Sequence, residues 1–187
     1  MASSTLASSL WQPARDSLAA KAALVAIGVL ALALSSKIQV PFWPVPMTLQ
    51  TAVVLLIGAS YGARLAGTTL LSFLAAGAVG LPVFATGAGL AYMAGPTGGY
   101  LLGFLLAAVV MGVITDKGFG RTPVQVIALM LLGEILIFAP GILWLTGFIG
   151  LEKSIAGGLL PFIPAEALKA ALATALLAAG WTAARRD

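Results

Sequence analysis

Of the 187 residues, 60% are hydrophobic and 9% are charged, against roughly 45–50% and 25% in soluble domains, so the chain reads as a membrane protein. Ten Lys and Arg stand against six Asp and Glu, and there is no His or Cys. These absences exclude thiol catalysis, a Ser-His-Asp triad, and imidazole or thiolate metal sites. No GxxxxGK[ST] phosphate loop is present, so an ATP-hydrolysing engine would have to sit on another chain. The excess positive charge is too sparse for a nucleic-acid surface and reads instead as topology. No cofactor is expected.

Apolar stretches bounded by charges or Gly/Pro clusters predict six transmembrane helices, at about 18–36, 49–61, 65–80, 99–115, 123–147 and 162–183, in one membrane domain spanning 1–187. Residues 65–115 carry no charge at all, enough for two spans of about 20 residues. The second helix is short for a span, and only residues 61–64 separate it from the third, which predicts a tight hairpin, tilted or partly re-entrant. Lys and Arg in short loops accumulate on the cytoplasmic side. An N-in, C-in arrangement puts Arg15, Lys21, Arg64, Lys117, Arg121, Arg185 and Arg186 inside and leaves Lys37 and Lys153 outside. The expected fold is therefore an all-α integral membrane protein with a cytoplasmic 1–17 segment and structured outer loops at about 37–48, 81–98 and 148–161. Ala31-Leu32-Ala33 looks like a signal-peptide cleavage site, but cleavage would spoil the charge count, so an uncleaved first helix is expected.

In the first helix, Ala19, Ala22, Ala23 and Ala26 form two small-xxx-small pairs on one stripe, where another helix can approach closely. Packing within the chain and docking of a second membrane protein both fit. The first outer loop, Val40 to Gln50, holds three prolines, Phe42 and Trp43. Proline fixes φ and removes donors, so this stretch is stiff and non-helical. It serves either as an interfacial aromatic anchor or as a lid over a cavity with Thr48 and Gln50 at its inner edge. The second loop is long, apolar and glycine-rich. Such backbone near membrane depth survives where protein buries it or where it lines a cavity, and Thr86, Tyr92 and Tyr100 offer hydroxyls there. Alternatively, its glycines only allow turns and helix packing.

The last helix opens with Pro161-Phe162-Ile163-Pro164-Ala165-Glu166-Ala167-Leu168-Lys169. Glu166 and Lys169, three apart, share one helix face. Helix-start chemistry accounts for both. So does a ligand site in which Glu166 accepts from ligand N–H groups while Lys169 meets a carboxylate or carbonyl oxygen. Glu134 falls midway along the fifth helix, where an ionised carboxylate is costly, so it is either protonated or turned to the bundle interior. A proton-coupling role and a hydrogen-bonded structural role are both open for it. In the sequence neither Glu134 nor Glu166 has a second acid converging on it, which weighs against an intramembrane enzyme.

Together the outer-face segments Val45-Pro46-Met47-Thr48-Leu49-Gln50-Thr51, Gly80-Leu81-Pro82-Val83-Phe84, Gly95-Pro96-Thr97-Gly98-Gly99-Tyr100-Leu101-Leu102-Gly103-Phe104 and Pro161 to Lys169 resemble the BioY family, collinearly from about residue 18 to the C-terminus. These are the biotin-binding S components of energy-coupling factor (ECF) transporters. The resemblance implies a non-enzymatic protein of a bacterial inner membrane that captures biotin from outside. It also implies partnership with a transmembrane coupling protein and cytoplasmic ATPase subunits, docked through a stripe similar to Ala19, Ala22, Ala23 and Ala26. Carried over residue by residue, it favours Gln50, Phe84, Thr86, Tyr100, Glu166 and Lys169 as the biotin site. The family usually has Pro-Gly-Asp where this chain has Pro164-Ala165-Glu166, a carboxylate one methylene longer. The second loop also carries fewer glycines than the family pattern. A solitary biotin transporter, an S component for another vitamin and a structural membrane protein remain as alternatives.

Overall fold

A computed structural model of the chain describes residues 5–12 and 17–184. The described residues form helices α1 (Leu6–Leu10), α2 (Leu18–Lys37), α3 (Gln50–Tyr61), α4 (Ala63–Ala78), α5 (Gly89–Met93), α6 (Gly98–Asp116), α7 (Pro123–Ile149), α8 (Leu151–Gly158) and α9 (Ile163–Ala184). A two-residue ribbon, β1 (Gln39–Val40) against β2 (Met47–Thr48), is antiparallel and pairs Gln39 with Thr48 and Val40 with Met47.

Local chemistry sets several of the boundaries. Ser17 caps α2 by accepting from the Ala20 amide, and Thr122 caps α7 by accepting from that of Gln125, with Pro123 in the first turn. Gly62, at φ 78°, separates α3 from α4. Across the bundle, the Asp116 carboxylate at the end of α6 accepts from the Ala63 amide at 3.0 Å, placing negative charge at the positive end of α4.

Four helices, α2, α6, α7 and α9, are long and apolar enough to cross a membrane. At 1.5 Å per residue α3 and α4 rise only about 18 and 24 Å, less than the roughly 30 Å hydrocarbon core. α3 is instead the bundle's interior, whereas α4 keeps one face exposed through Arg64, Thr68, Leu71 and Ala75. In α3, Gln50, Thr51, Ala52, Val54, Leu55, Ile57, Gly58 and Ala59 are all buried, as expected of a helix enclosed on every side. α6 packs on α7, α3 and α4, and α9 packs on α3 and α7. Phe73, Leu55, Met111, Leu129, Met130 and Ile137 are fully enclosed where these helices meet. Outward, Ile27, Leu30, Leu34, Leu131, Ile135, Leu143, Leu168, Leu172 and Leu176 are exposed. An apolar belt of this extent suits lipid and not water, so the chain is a multi-pass membrane protein.

The segments that the sequence reading treats as loop or plain tail hold structure of their own, α5 within 81–98 and the ribbon around 37–48 among it. The 148–161 connection contains α8, because Gly150 at φ 79° stops α7 and the chain at once resumes a helix with Ser154 and Gly158 facing inward. Its terminal Gly pair disguises it as a loop. Within 1–17, Thr5 caps the single turn α1, and Leu6, 5% exposed, packs against Gly180 of α9. Arg15, Arg185 and Arg186, three of the charges that orient the sequence-based topology, lie outside the described residues.

The α6–α7 interface depends on Gly103. A Cβ there would stand 2.6 Å from the Ile137 carbonyl oxygen and 2.8 Å from its Cα, and backbone atoms cannot step aside. By contrast, a Cβ at Gly147 of α7 meets nothing within 4 Å. Gly103→Ala is therefore expected to destabilise the detergent-solubilised protein by about 1–3 kcal/mol, whereas Gly147→Ala leaves its thermal midpoint unchanged or raised. Equal midpoints for the two variants would contradict this account of the interface.

Candidate substrate-binding site

One end of the bundle gathers the start of α9, the first turn of α3, β2 and the 81–97 loop. The i, i+3 spacing places Lys169 Nζ 2.7 Å from Glu166 Oε1, with both side chains buried. Burying two charges is costly unless their remaining hydrogen-bonding capacity is met, and here it is. Lys169 also donates to the Thr48 carbonyl and to Thr51 Oγ1 at 3.1 Å, which uses all three ammonium donors. Thr51 in turn donates its hydroxyl proton to Glu166 Oε2 at 2.7 Å. The two Glu166 oxygens keep unused lone pairs, and Glu166 lines the adjoining cavity.

That cavity has a volume of about 30 Å³, room for roughly two waters. Its polar lining includes Thr48, Gln50, Thr51, Thr97 and Glu166, and its aromatic lining includes Phe84, Tyr92, Tyr100, Phe138 and Phe162. Gln50 is steered by α2, where its side-chain amide donates to the Leu32 carbonyl at 3.3 Å. Tyr100 is fixed at both ends of its side chain. Its hydroxyl donates to the Gly158 carbonyl at 2.8 Å, and its ring meets Phe138 edge-on at 5.7 Å. Phe138 meets Phe162 in the same way. Phe84 stands edge-on to Phe73 and is stacked on Tyr92 at 5.0 Å. Its ring lies so close to Gly77 that no side chain fits there.

Of the six residues named from sequence, Gln50, Phe84, Tyr100 and Glu166 line the cavity. Lys169 sits one side chain behind it, holding Glu166, with no donor left over for a ligand. Thr86 is exposed and does not contribute to the lining, because the backbone turns Phe84 and Ala85 inward and the next side chain out. Thr51, Phe138 and Phe162 escaped the sequence reading. Thr51 and Phe162 lie inside motifs quoted above, and Phe138 falls four residues after Glu134, on the same face of α7.

Glu134 corrects one expectation outright. The sequence offers neither carboxylate an acidic neighbour, yet α7 and α9 bring Glu134 and Glu166 to one crevice of about 260 Å³ whose lining includes Leu131, Ile135, Phe138 and Ile163. Glu134 is near enough to feel the charges of both Glu166 and Lys169, but its buried oxygens meet no hydrogen-bond partner. Among the described residues no three metal-binding side chains converge.

At the far side of the bundle Ala19, Ala22 and Ala26 are exposed and Ala23 is half-buried. Ala22 and Ala26 line a groove of about 730 Å³ between α2 and α4, together with Val25, Val29, Leu65 and Thr68. The stripe is thus largely left free by the chain's own helices.

Comparison with known proteins identifies the family. A protein of Rickettsia prowazekii named "Probable biotin transporter BioY" is 36% identical over 78% of this chain and 75% of its own length. One of the same name from Pyrococcus horikoshii is 37% identical over 83% of this chain and 92% of its own length. A solved structure described as the S-component for biotin from an ECF-type ABC transporter superposes with a TM-score of 0.75 and 26% identity, covering 84% of this chain and 88% of that one. Residues 4–186 match the model of the BioY family, and the chain belongs to that family.

Proposed function

We propose that the chain is a biotin-uptake subunit, a membrane protein without enzymatic activity that captures biotin at the outer face and delivers it inward. The observation that carries this reading is the Glu166–Lys169–Thr51 network opening onto an aromatic-walled cavity. Biotin presents a ureido ring with two N–H donors and a carbonyl, an apolar thiophane ring and chain, and a carboxylate. Glu166 retains acceptor lone pairs for the ureido N–H groups, Gln50 and Thr48 supply further polar contacts, and Phe84, Tyr100, Phe138 and Phe162 wall the apolar part. A few placed polar groups in an apolar pocket are the usual recipe for a small-molecule site. Lys169 acts by pairing with Glu166 and aiming it. The names of the relatives and of the structural neighbour support biotin as the ligand.

In this reading six apolar helices, α2, α3, α4, α6, α7 and α9, belong to the transmembrane bundle, with α3 and α4 as its short hairpin. Both termini face the cytoplasm, in keeping with Lys21, Arg64, Lys117 and Arg121 at one end of the bundle. The membrane is a bacterial inner membrane. The exposed Ala19, Ala22 and Ala26 face, beside the α2–α4 groove, docks an ECF transmembrane coupling protein, and separate ATPase subunits supply the energy. Thr86 has no part in the site.

Labelled biotin is expected to bind the purified, detergent-solubilised chain saturably, displaced by unlabelled biotin but not by thiamine or riboflavin. A folded sample that binds no biotin would sink the reading. Lys169→Ala strips Glu166 of its counter-charge, and is expected to weaken biotin binding more than about tenfold, or about 1.4 kcal/mol. Unchanged affinity in a folded variant would reduce the pair to helix-start chemistry. Glu134 touches the back of this network without lining the ligand cavity. Replacing a buried carboxyl that makes no well-aligned hydrogen bond and lies beside the Glu166 carboxylate by an apolar side chain of similar length removes a desolvation cost of about 1–3 kcal/mol. Glu134→Met should therefore raise the thermal midpoint while biotin affinity stays within about twofold. A large loss of affinity would instead place Glu134 in the site.

A further inference from the structure

We propose that Ser36, Lys37 and Gln39 form a side-chain clamp on three successive carbonyls, those of Val83, Phe84 and Ala85, and that this clamp sets how fast ligand enters and leaves the cavity. The identity of the ligand rests on the functional reading above; the clamp itself does not.

The contacts run in step. Ser36 Oγ lies 2.8 Å from the Val83 carbonyl, sharing its proton with the Ala33 carbonyl at 2.7 Å. The Lys37 ammonium donates to the Phe84 carbonyl, 47 positions away, and Gln39 Nε2 donates to the Ala85 carbonyl at 3.4 Å. A lysine in the last turn of a helix ordinarily serves its own terminal carbonyls. Lys37 instead reaches across to another segment through a charge-assisted bond, the strongest of the three by type. Residues 81–88 form neither helix nor strand, so the end of α2 supplies the anchoring that a ladder would otherwise give.

What the clamp holds is the cover of the site. Phe84, 1% exposed, and its stacking partner Tyr92 line the cavity with Ala85. At about 30 Å³ that space is far below the roughly 300 Å³ or more of a small-molecule pocket. A bicyclic ligand with a side chain enters only if Phe84 and Tyr92 draw back, and Phe84 cannot draw back far while its own carbonyl and both neighbours are held. Gln39 also pairs with Thr48 in the ribbon, and the Thr48 carbonyl accepts from Lys169. The ribbon, closed by the Leu49 amide donating to the Ile38 carbonyl at 2.9 Å, thus sets the segment that carries Gln39 beside the one that carries the lysine's acceptor.

The chain has no cysteine, so Ala85→Cys gives a unique buried reporter. Its labelling by a membrane-impermeant maleimide, with no ligand present, measures opening directly. In the Lys37→Met background labelling should run about tenfold faster, the factor equivalent to losing roughly 1.4 kcal/mol of clamp. Lys37→Arg should return it to within about twofold of the parent, and Gln39→Met should move it in the same direction by less. For stopped-flow biotin binding by Lys37→Met, the association and dissociation rate constants should rise together, leaving Kd changed by less than about threefold. Unchanged labelling in both variants, or a Kd loss arising from dissociation alone, would overturn the clamp. If the parent chain failed to bind biotin while labelling still accelerated, the functional reading would fall and the clamp would stand.

Discussion

A lysine and a glutamate buried at the edge of an apolar bundle constrain nearly everything around them. Neither is tolerated there without the other, and the pair is tolerated only with its remaining donors and acceptors satisfied. Lys169 meets that demand with three donors directed to three places, the Thr48 carbonyl, Thr51 Oγ1 and Glu166 Oε1. Those partners come from β2, α3 and α9, so satisfying one ammonium group fixes the relative position of three elements. Thr51 closes the ring by donating to Glu166. The polar floor of the site is thus rigid before any ligand arrives, and a rigid floor spares the binding step the entropy of ordering it.

The length of the helices explains why this floor lies where it does. α3 and α4 are too short to cross the hydrocarbon alone, so the bundle is shallower at their end and the outer loops must fill the remaining depth. Non-helical backbone at that depth needs its hydrogen bonds met by protein. The β1–β2 ribbon, the capture of the 83–85 carbonyls by α2 and the Trp144 indole donating to the Gly95 carbonyl at 2.9 Å all answer that need. Aromatic side chains then cover the floor, because they fill volume with few rotatable bonds and with polar tips where wanted. Tyr100 shows both properties, its ring against Phe138 and its hydroxyl on Gly158.

How much of this could be read from the sequence depends on the range of the interaction involved. The Glu166–Lys169 contact follows from helix periodicity alone, and Gln50 from its position at the start of α3. The helical bundle is legible because apolar runs between charges are a local signal. Thr51 is invisible by the same reasoning. Nothing in a threonine beside a glutamine announces a partner 115 positions away, although the Thr48, Gln50 and Thr51 cluster marks the turn as polar. Thr86 lies outside the lining for a related reason. A hydroxyl in a glycine-rich loop looks available, but which way it points depends on backbone that residues 36–39 hold from outside. The convergence of Glu134 and Glu166 is likewise a property of how α7 crosses α9, and α8 is hidden because its two terminal glycines imitate a loop.

Lys37 shows how the same residue type can answer two different questions. Counted as a charge it only orients the chain across the membrane, and any basic residue nearby would do as well. Placed in the fold it is the one ammonium aimed at the carbonyl behind Phe84, and its reach and donors matter. The first role is a sum over loops and is met by any nearby basic residue; the second needs a cationic donor at position 37 that reaches the Phe84 carbonyl. Selectivity in a site of this kind then has two separable sources. In the proposed reading the floor of Glu166, Lys169 and Thr51 decides which ligand is held, through groups that a wrong ligand would leave unpaired. In the proposed clamp the bonds on residues 83–85 set how often the cavity opens, and they act on every ligand alike. Affinity in the proposed reading belongs to the floor and exchange rate to the cover, and the two meet where the Leu49 amide donates to the Ile38 carbonyl and Gln50 to the Leu32 carbonyl.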